Sequence, residues 1–109
     1  MEAPAMFNAV VSQEGTVRQI RLNGEFDLAG CPEAGKLFSE SLTDGFSAVE
    51  IDLRGLTFMD SSGIRSLVMA VRDGEAAGKA LTIIPGPPNV QRVFEVAGLL
   101  DVLPFEDQP

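Results

Sequence analysis

A short alternating stretch, VEIDLR at residues 49–54, constrains the fold more than any other part of the sequence. Val49, Ile51 and Leu53 occupy alternate positions, and charged residues stand between them. Because successive side chains of a strand point to opposite faces, one face of this strand is packed and the other meets water. A strand covered by helices on both faces would be continuously apolar. The pattern therefore predicts a sheet that carries its helices mainly on one face.

Three further stretches have strand character, and helical patterns separate most of them. Strands are expected at residues 7–11, 17–22, 48–53 and 80–84, with a QEG turn joining the first two into an antiparallel hairpin. Strands two to four should be parallel, because right-handed helical crossovers connect them. The predicted fold class is α/β, in the order β-β-α-β-α-β-α, with a mixed four-stranded sheet.

The helices are expected where apolar residues recur at helical spacing. Pro32 suits a first turn, and the DG pair at 44–45 suits an end. The second helix begins near Ser62 and ends at Gly78, or earlier at Gly74, and Asn89 is the expected cap of the third. The inward-facing positions are predicted to be Ala34, Leu37, Phe38 and Leu42, then Ile64, Leu67, Val68 and Val71, then Val90, Val93, Phe94 and Ala97. Residues 99–103 are expected to pack as an irregular end or a short last strand.

Composition narrows the class of protein. A chain of 109 residues predicts a single domain spanning residues 1–109. With 16 acidic and 8 basic residues, the net charge of −8 disfavours nucleic acid and anionic membrane surfaces as partners. No secretory signal is recognisable, the longest apolar run is residues 67–71, and one cysteine cannot form an internal disulfide. A cytoplasmic location is expected.

Several chemistries are excluded by residue type. The chain has no histidine, so histidine-based triads and histidine metal sites are unavailable. The stretch GEAAGKA at 74–80 departs from a phosphate-binding loop in spacing and lacks its hydroxyl, so it is interpreted as a helix end. Cys31 is interpreted as a small, partly buried side chain. These exclusions leave a carboxylate pair as the remaining catalytic option, and no enzyme activity, metal or cofactor is expected.

Two loops carry polar residues to one edge of the predicted sheet. The loop after strand two contains Glu25 and Asp27, and the loop after strand three ends in Asp60 and Ser61. The carboxyl ends of parallel strands meet at the edge where ligands usually bind, so these residues should be neighbours. Glu25 and Asp27 could instead be an acid–base pair or a solvated turn, and a polar rim is favoured over both.

Three motifs resemble the STAS domain family, specifically its bacterial anti-sigma factor antagonists. These motifs are LNGEFD at 22–27, FMDSSG at 58–63, and VQRVF at 90–94 followed by AGL at 97–99. They cover nearly the whole chain. Phe26 replaces the usual leucine, and segment 28–32 lacks the polar residues often found there.

The resemblance implies both a fold and a mechanism. In the antagonist branch the first hydroxyl of the Asp-Ser-Ser/Thr-Gly motif is phosphorylated, which by position is Ser61. The implied partners are an anti-sigma factor that is itself a serine kinase, captured by the unphosphorylated antagonist, and a serine phosphatase that resets the cycle. The residues implied at the partner surface are Glu25, Asp27, Met59, Asp60, Ser61, Ser62 and Gly63. The oligomeric state is left open.

Two rival functions remain. One is another STAS role, such as a small subunit of a lipid-transport ABC complex. The other is a receiver-like domain that accepts a phosphoryl group on Asp52, which is disfavoured because no acid pair follows the first strand and Asp52 lies within a strand.

The residues at the helix start also have a purely structural reading. Asp60, Ser61 or Ser62 could cap the second helix by accepting a backbone N–H. Capping needs only one of the three, which leaves a hydroxyl free.

Overall fold

A four-stranded mixed sheet organises the molecule. The computed structural model describes residues 6–43 and 45–106. The sheet order is β1-β2-β3-β4, with β1 antiparallel to β2, and with β2–β3 and β3–β4 parallel. The strands are β1 (Asn8–Glu14), β2 (Val17–Phe26), β3 (Ala48–Met59) and β4 (Ala80–Ile84). The predicted hairpin, the order of elements along the chain and the strand directions are confirmed.

Three helices follow β2, β3 and β4 as predicted. A single 3-10 turn, Leu28–Gly30, precedes the first of them. The helices are α1 (Cys31–Glu40), α2 (Ser61–Ala76) and α3 (Pro88–Val96). Their apolar residues pack with one face of the sheet into a single core, whose members include Ile20, Ile51, Ile83, Phe38, Leu67 and Phe94. This arrangement confirms the helices-on-one-face prediction.

The opposite face of the sheet is a polar surface. Its central depression is lined by strand residues alone: Val10, Ser12, Gln19, Arg21, Glu50, Asp52 and Arg54. Burial acts to raise the pKa of Asp52, but hydrogen bonds and charge from Arg54 prevail and lower it. Arg54 engages both Asp52 oxygens, with Nε 3.0 Å from Oδ1 and a terminal nitrogen 2.9 Å from Oδ2. Although it lies on this open face, Asp52 is only 7% exposed.

Two strands extend further than their sequence patterns indicate. β2 continues to Phe26 and β3 to Met59, several residues beyond the predicted ends at 22 and 53. The β2–β3 register shifts between Arg21 and Asn23 and again between Gly24 and Glu25. β2 keeps its alternation to Phe26, but in β3 the buried residues after Leu53 are Leu56 and Met59, three residues apart, so the period-two pattern of β3 stops while the pairing continues.

Several predicted helix boundaries are wrong. Pro87 stands at the N-cap of α3, and the Asn89 side chain instead donates to the Thr57 carbonyl oxygen at 2.8 Å. Gly74, the alternative end of α2, lies inside that helix, buried against Leu81. The helix ends at Ala76, and Gly78 follows the C-cap with a positive φ of 74°, which confirms Gly78 as the terminating glycine.

The first helix also ends earlier than predicted. α1 ends at Glu40, with Ser41 as its C-cap, and not at the DG pair. Asp44, the first member of that pair, lies outside the described residues.

The last described residues close one edge of the sheet. Ile83 pairs with Phe105, through bonds from Ile83 N to Pro104 O at 2.9 Å and from Glu106 N to Ile83 O at 2.8 Å. Leu103 is buried, but Val102 is 70% exposed, so residues 99–103 pack only in part. Ala97, predicted to face inward, is exposed. In the part of the chain that the structure describes, no helix is long and apolar enough to cross a membrane.

Candidate functional site

Asp60 is the N-cap of α2. Its backbone is extended, and its Oδ1 accepts from the amides of Ser62 at 2.9 Å and Gly63 at 3.3 Å. These are two of the amide groups that the first turn of a helix leaves without an intrahelical partner. The capping requirement of the helix is therefore met by the carboxylate, and neither serine hydroxyl is needed for it.

Ser61 is the first residue of α2, and it is exposed. Its hydroxyl makes no hydrogen bond to any residue within 6–43 or 45–106. Ser62 is half-buried, and its backbone carbonyl lies 3.5 Å from the Cys31 sulphur. Of the two adjacent hydroxyls, the one on Ser61 is the more accessible.

Asp27 occupies a matching position after β2. It is the N-cap of the 3-10 turn, and its Oδ1 accepts from the Ala29 amide at 3.0 Å. Glu25, near the end of β2, is half-buried and pairs in register with Phe58 of β3. Asp27 therefore has a structural task besides any role in binding.

The two loops are held together by direct contacts. Phe26 pairs with Met59, and the Asp60 amide donates to the Phe26 carbonyl at 3.3 Å. The Cys31 thiol lies within hydrogen-bond reach of the Asp27 carbonyl, at 3.4 Å, as well as of Ser62. The structure thus brings together the two loops expected from topology to be neighbours. Their polar residues are called here the lip: Glu25, Asp27, Asp60 and Ser61, to which the structure adds Ser62.

Met59 and Gly63, also expected at the partner surface, lie beneath the lip. Met59 is 3% exposed and Gly63 is buried. A Cβ on Gly63 would lie 2.7 Å from Met59 Cγ and 2.9 Å from the Phe26 carbonyl oxygen. The absence of a side chain at Gly63 lets α2 begin directly against the strand ends, so both residues position the lip without forming its surface.

Exposed apolar side chains flank the lip, and sequence reasoning missed them. Leu28 is 72% exposed, Phe58 46% and Met69 48%. Leu28 and Met69 line a groove of about 420 Å³ between α1 and α2, whose lining also includes Cys31, Phe38, Ser62 and Arg65. One sequence feature could have indicated the exposed Leu28: the apolar segment LAGC at 28–31 directly follows an acidic motif.

A second cavity, on the β2 side of the lip, is acidic. It has a volume of about 410 Å³ and is lined by Glu25, Asp27 and Glu33 together with Met6, Phe7, Ala29 and Gly30. Within the described ranges, no three carboxylate or thiol side chains are placed to hold a metal ion. The acids instead give this side of the lip a negative potential, which favours a basic partner surface.

The family is established by comparison with known proteins. The STAS family model described as "Mlab, STAS domain" matches residues 9–104, most of the chain. The protein therefore belongs to the STAS domain family, in agreement with its motifs and its mixed sheet.

Individual relatives are anti-sigma factor antagonists. The anti-sigma-B factor antagonist of Staphylococcus aureus is 26% identical over 85 residues, 78% of this chain and 79% of that protein. The crystal structure of an anti-sigma factor antagonist from Mycobacterium paratuberculosis superposes with a TM-score of 0.85 at 21% identity, covering 99% of this chain and 92% of that one. The structure of the anti-sigma factor antagonist SpoIIAA in its unphosphorylated form superposes with a TM-score of 0.74 at 23% identity, covering 94% of this chain and 90% of that one. The phosphorylated form of Bacillus SpoIIAA superposes with a TM-score of 0.69 at 23% identity, covering 94% of this chain and 93% of that one.

Proposed function

We propose that this protein is an anti-sigma factor antagonist whose lip binds an anti-sigma factor serine kinase, and that phosphorylation of Ser61 abolishes this binding. The observation that carries the proposal is the arrangement at the start of α2. Asp60 caps the helix, and Ser61 presents a hydroxyl with no hydrogen-bond partner among the described residues. Relatives named as antagonists, and a neighbour solved in a phosphorylated form, support the assignment.

The surroundings of Ser61 suit a protein partner. Stable interfaces combine apolar anchors with a polar rim. Leu28, Phe58 and Met69 supply exposed apolar surface, and Asp27 and Glu25 supply the acidic rim. The partner surface should accordingly be basic, with apolar side chains that fill the groove between α1 and α2.

A phosphate on Ser61 would change binding more than folding. It adds roughly −1.5 to −2 charges beside the α2 N-terminus, where the helix dipole favours an anion by about 0.3–1 kcal/mol. Asp60 and Asp27 oppose that gain by like-charge repulsion. Because these local effects are small and of opposite sign, the domain should stay folded, whereas a partner packed on the lip meets new bulk and charge.

The remaining parts of the proposal follow from the same role. A serine phosphatase would restore the binding form. The chain would act in the cytoplasm as a binding module, without catalysis or a cofactor. It would contact neither nucleic acid nor membrane, because its net charge of −8 is repelled by both.

The direct test is phosphorylation by an anti-sigma factor serine kinase from the same genome, with ATP. One phosphate should be gained and mapped to Ser61 by mass spectrometry. Ser61→Ala should block the reaction, and Ser62→Ala, the matched control at the neighbouring hydroxyl, should not. Phosphate on another residue would refute the proposal. Failure to bind the kinase, together with co-purification with the ATPase subunit of a transport complex, would favour the lipid-transport role.

A further inference from the structure

The two edges of the sheet differ in whether another segment of the chain pairs with them. The β4 edge is covered in part, because residues 104–106 pair with Ile83. The outer edge of β1 has no partner within residues 6–43 and 45–106. An uncovered strand edge presents a row of free N–H and C=O groups, which makes it a template for another strand.

The hairpin determines which β1 groups face outward. Glu14 pairs with Val17 across a two-residue loop, and Gly15 has the positive φ of 63° that such a turn needs. Residues flanking a two-residue loop form a hydrogen-bonded pair, and such pairs recur at every second residue. The even-numbered residues of β1 therefore bond to β2, and the backbone groups of Ala9, Val11 and Gln13 point to the open edge.

This outward set is symmetric about its middle member. Val11 lies at the centre of Asn8–Glu14, with Ala9 and Gln13 two residues to either side. We propose that the open edge binds a second copy of this chain, with β1 pairing antiparallel to its own counterpart about Val11. Ala9 then lies opposite Gln13 of the other copy, and three pairs exchange six backbone hydrogen bonds. A two-fold interface needs this kind of self-complementarity.

The side chains of β1 favour this pairing. Val10 is 56% exposed and Val11 39%, so two β-branched residues occupy the middle of an uncovered strand. The strand contains neither lysine nor proline, the residues that usually protect an edge from pairing. Its only charged residue, Glu14, would lie opposite Asn8 of the second copy, so no like charges face each other.

The pairing leaves the lip free. It would create a continuous eight-stranded sheet with all helices on one side, and the two lips at opposite ends. Because each copy carries a net charge of −8, long-range repulsion opposes association. Salt screens that repulsion, so self-association should strengthen as ionic strength rises.

Proline at the centre of the strand is a specific test. Val11→Pro removes the outward N–H and no bond to β2, and proline is tolerated on edge strands whose N–H faces solvent. Sedimentation velocity from about 10 µM to 1 mM protein, at ionic strengths of roughly 0.05 and 0.5 M, should show reversible dimer formation that is stronger at high salt. Val11→Pro should lower the association constant at least tenfold, about 1.4 kcal/mol. The control Val11→Thr, which keeps the N–H and the β-branch, should dimerise like the wild type.

A charge-pair experiment keeps the test decisive if the proline variant folds poorly. Val11 faces its own counterpart across the two-fold axis, so Val11→Lys and Val11→Glu should each fail to self-associate while their mixture forms a one-to-one dimer. Two results would overturn the proposal: a protein that stays monomeric throughout the concentration range, or a dimer whose stability is unchanged by proline, lysine and glutamate alike at position 11.

Discussion

Replacing Asp60 with alanine should separate the structural task at the start of α2 from the regulatory one. The carboxylate accepts from two amides, at 2.9 Å and 3.3 Å. Loss of an N-cap side chain costs about 0.5–2 kcal/mol, and loss of a negative charge at a helix N-terminus adds about 0.3–1 kcal/mol. Because the site is only half-buried, water can partly replace the acceptor, and the expected total is about 1–2 kcal/mol.

This loss is large enough to measure by thermal unfolding. An unfolding entropy of about 2.1 cal/mol/K per residue gives roughly 0.23 kcal/mol/K for 109 residues. Asp60→Ala should therefore lower the Tm by about 4–9 °C. Ser61→Ala, at an exposed position with no described hydrogen bond, should change stability by no more than about 0.5 kcal/mol.

The control for charge is Asp60→Asn, since asparagine caps helices about as well as aspartate. It should recover most of the stability that Asp60→Ala loses. If Asp60→Ala is as stable as Ser61→Ala, or if Ser61→Ala loses as much stability as Asp60→Ala, the division of labour between the two residues is refuted.

Three further predictions address the support of the lip, its charge and the open face of the sheet. Gly63→Ala places a Cβ 2.9 Å from a backbone oxygen and should destabilise by about 1–3 kcal/mol in chemical denaturation, whereas Gly35→Ala, with open space around its Cβ, should be neutral or stabilising. Asp27→Asn, which keeps the capping oxygen, should weaken kinase binding in calorimetry with little change in Tm; equal affinity would remove Asp27 from the interface. Burial, and then the neighbouring Glu106 carboxyl, raises the pKa of Glu50. Glu50→Gln should therefore raise the Tm at pH 7, and the gain should vanish below the ordinary pKa of 4.5, where both states are protonated; a gain that persists there would contradict this cause.

The strand topology was predictable because it depends on short local patterns. The alternation in residues 49–54 reflects packing against helices on one side, and it correctly predicted the open face. The spacing of strands and helical segments then left one simple connection between parallel strands. The lip followed from topology, since strands two and three had to end at the same edge.

The details that sequence could not supply depend on contacts distant in the chain. Asn89 had the residue type of a cap, but its side chain bonds to Thr57, and Pro87 takes the cap position. Gly74 had the residue type of a helix end, yet it provides space for Leu81. No local pattern shows that the Cys31 thiol lies within hydrogen-bond reach of both Asp27 and Ser62, or that Phe58, opposite Glu25 in the sheet, is exposed.

The central claim is that charge on Ser61 switches partner binding in a folded protein. The most direct measurement compares the affinities of Ser61→Asp and Ser61→Asn for the unmodified kinase by calorimetry, because these side chains match in shape and differ in charge. Ser61→Asp should bind at least tenfold more weakly than Ser61→Asn, about 1.4 kcal/mol, with circular dichroism and Tm close to wild type. Equal affinities for the two variants, or a loss of binding explained by unfolding of Ser61→Asp, would contradict the account.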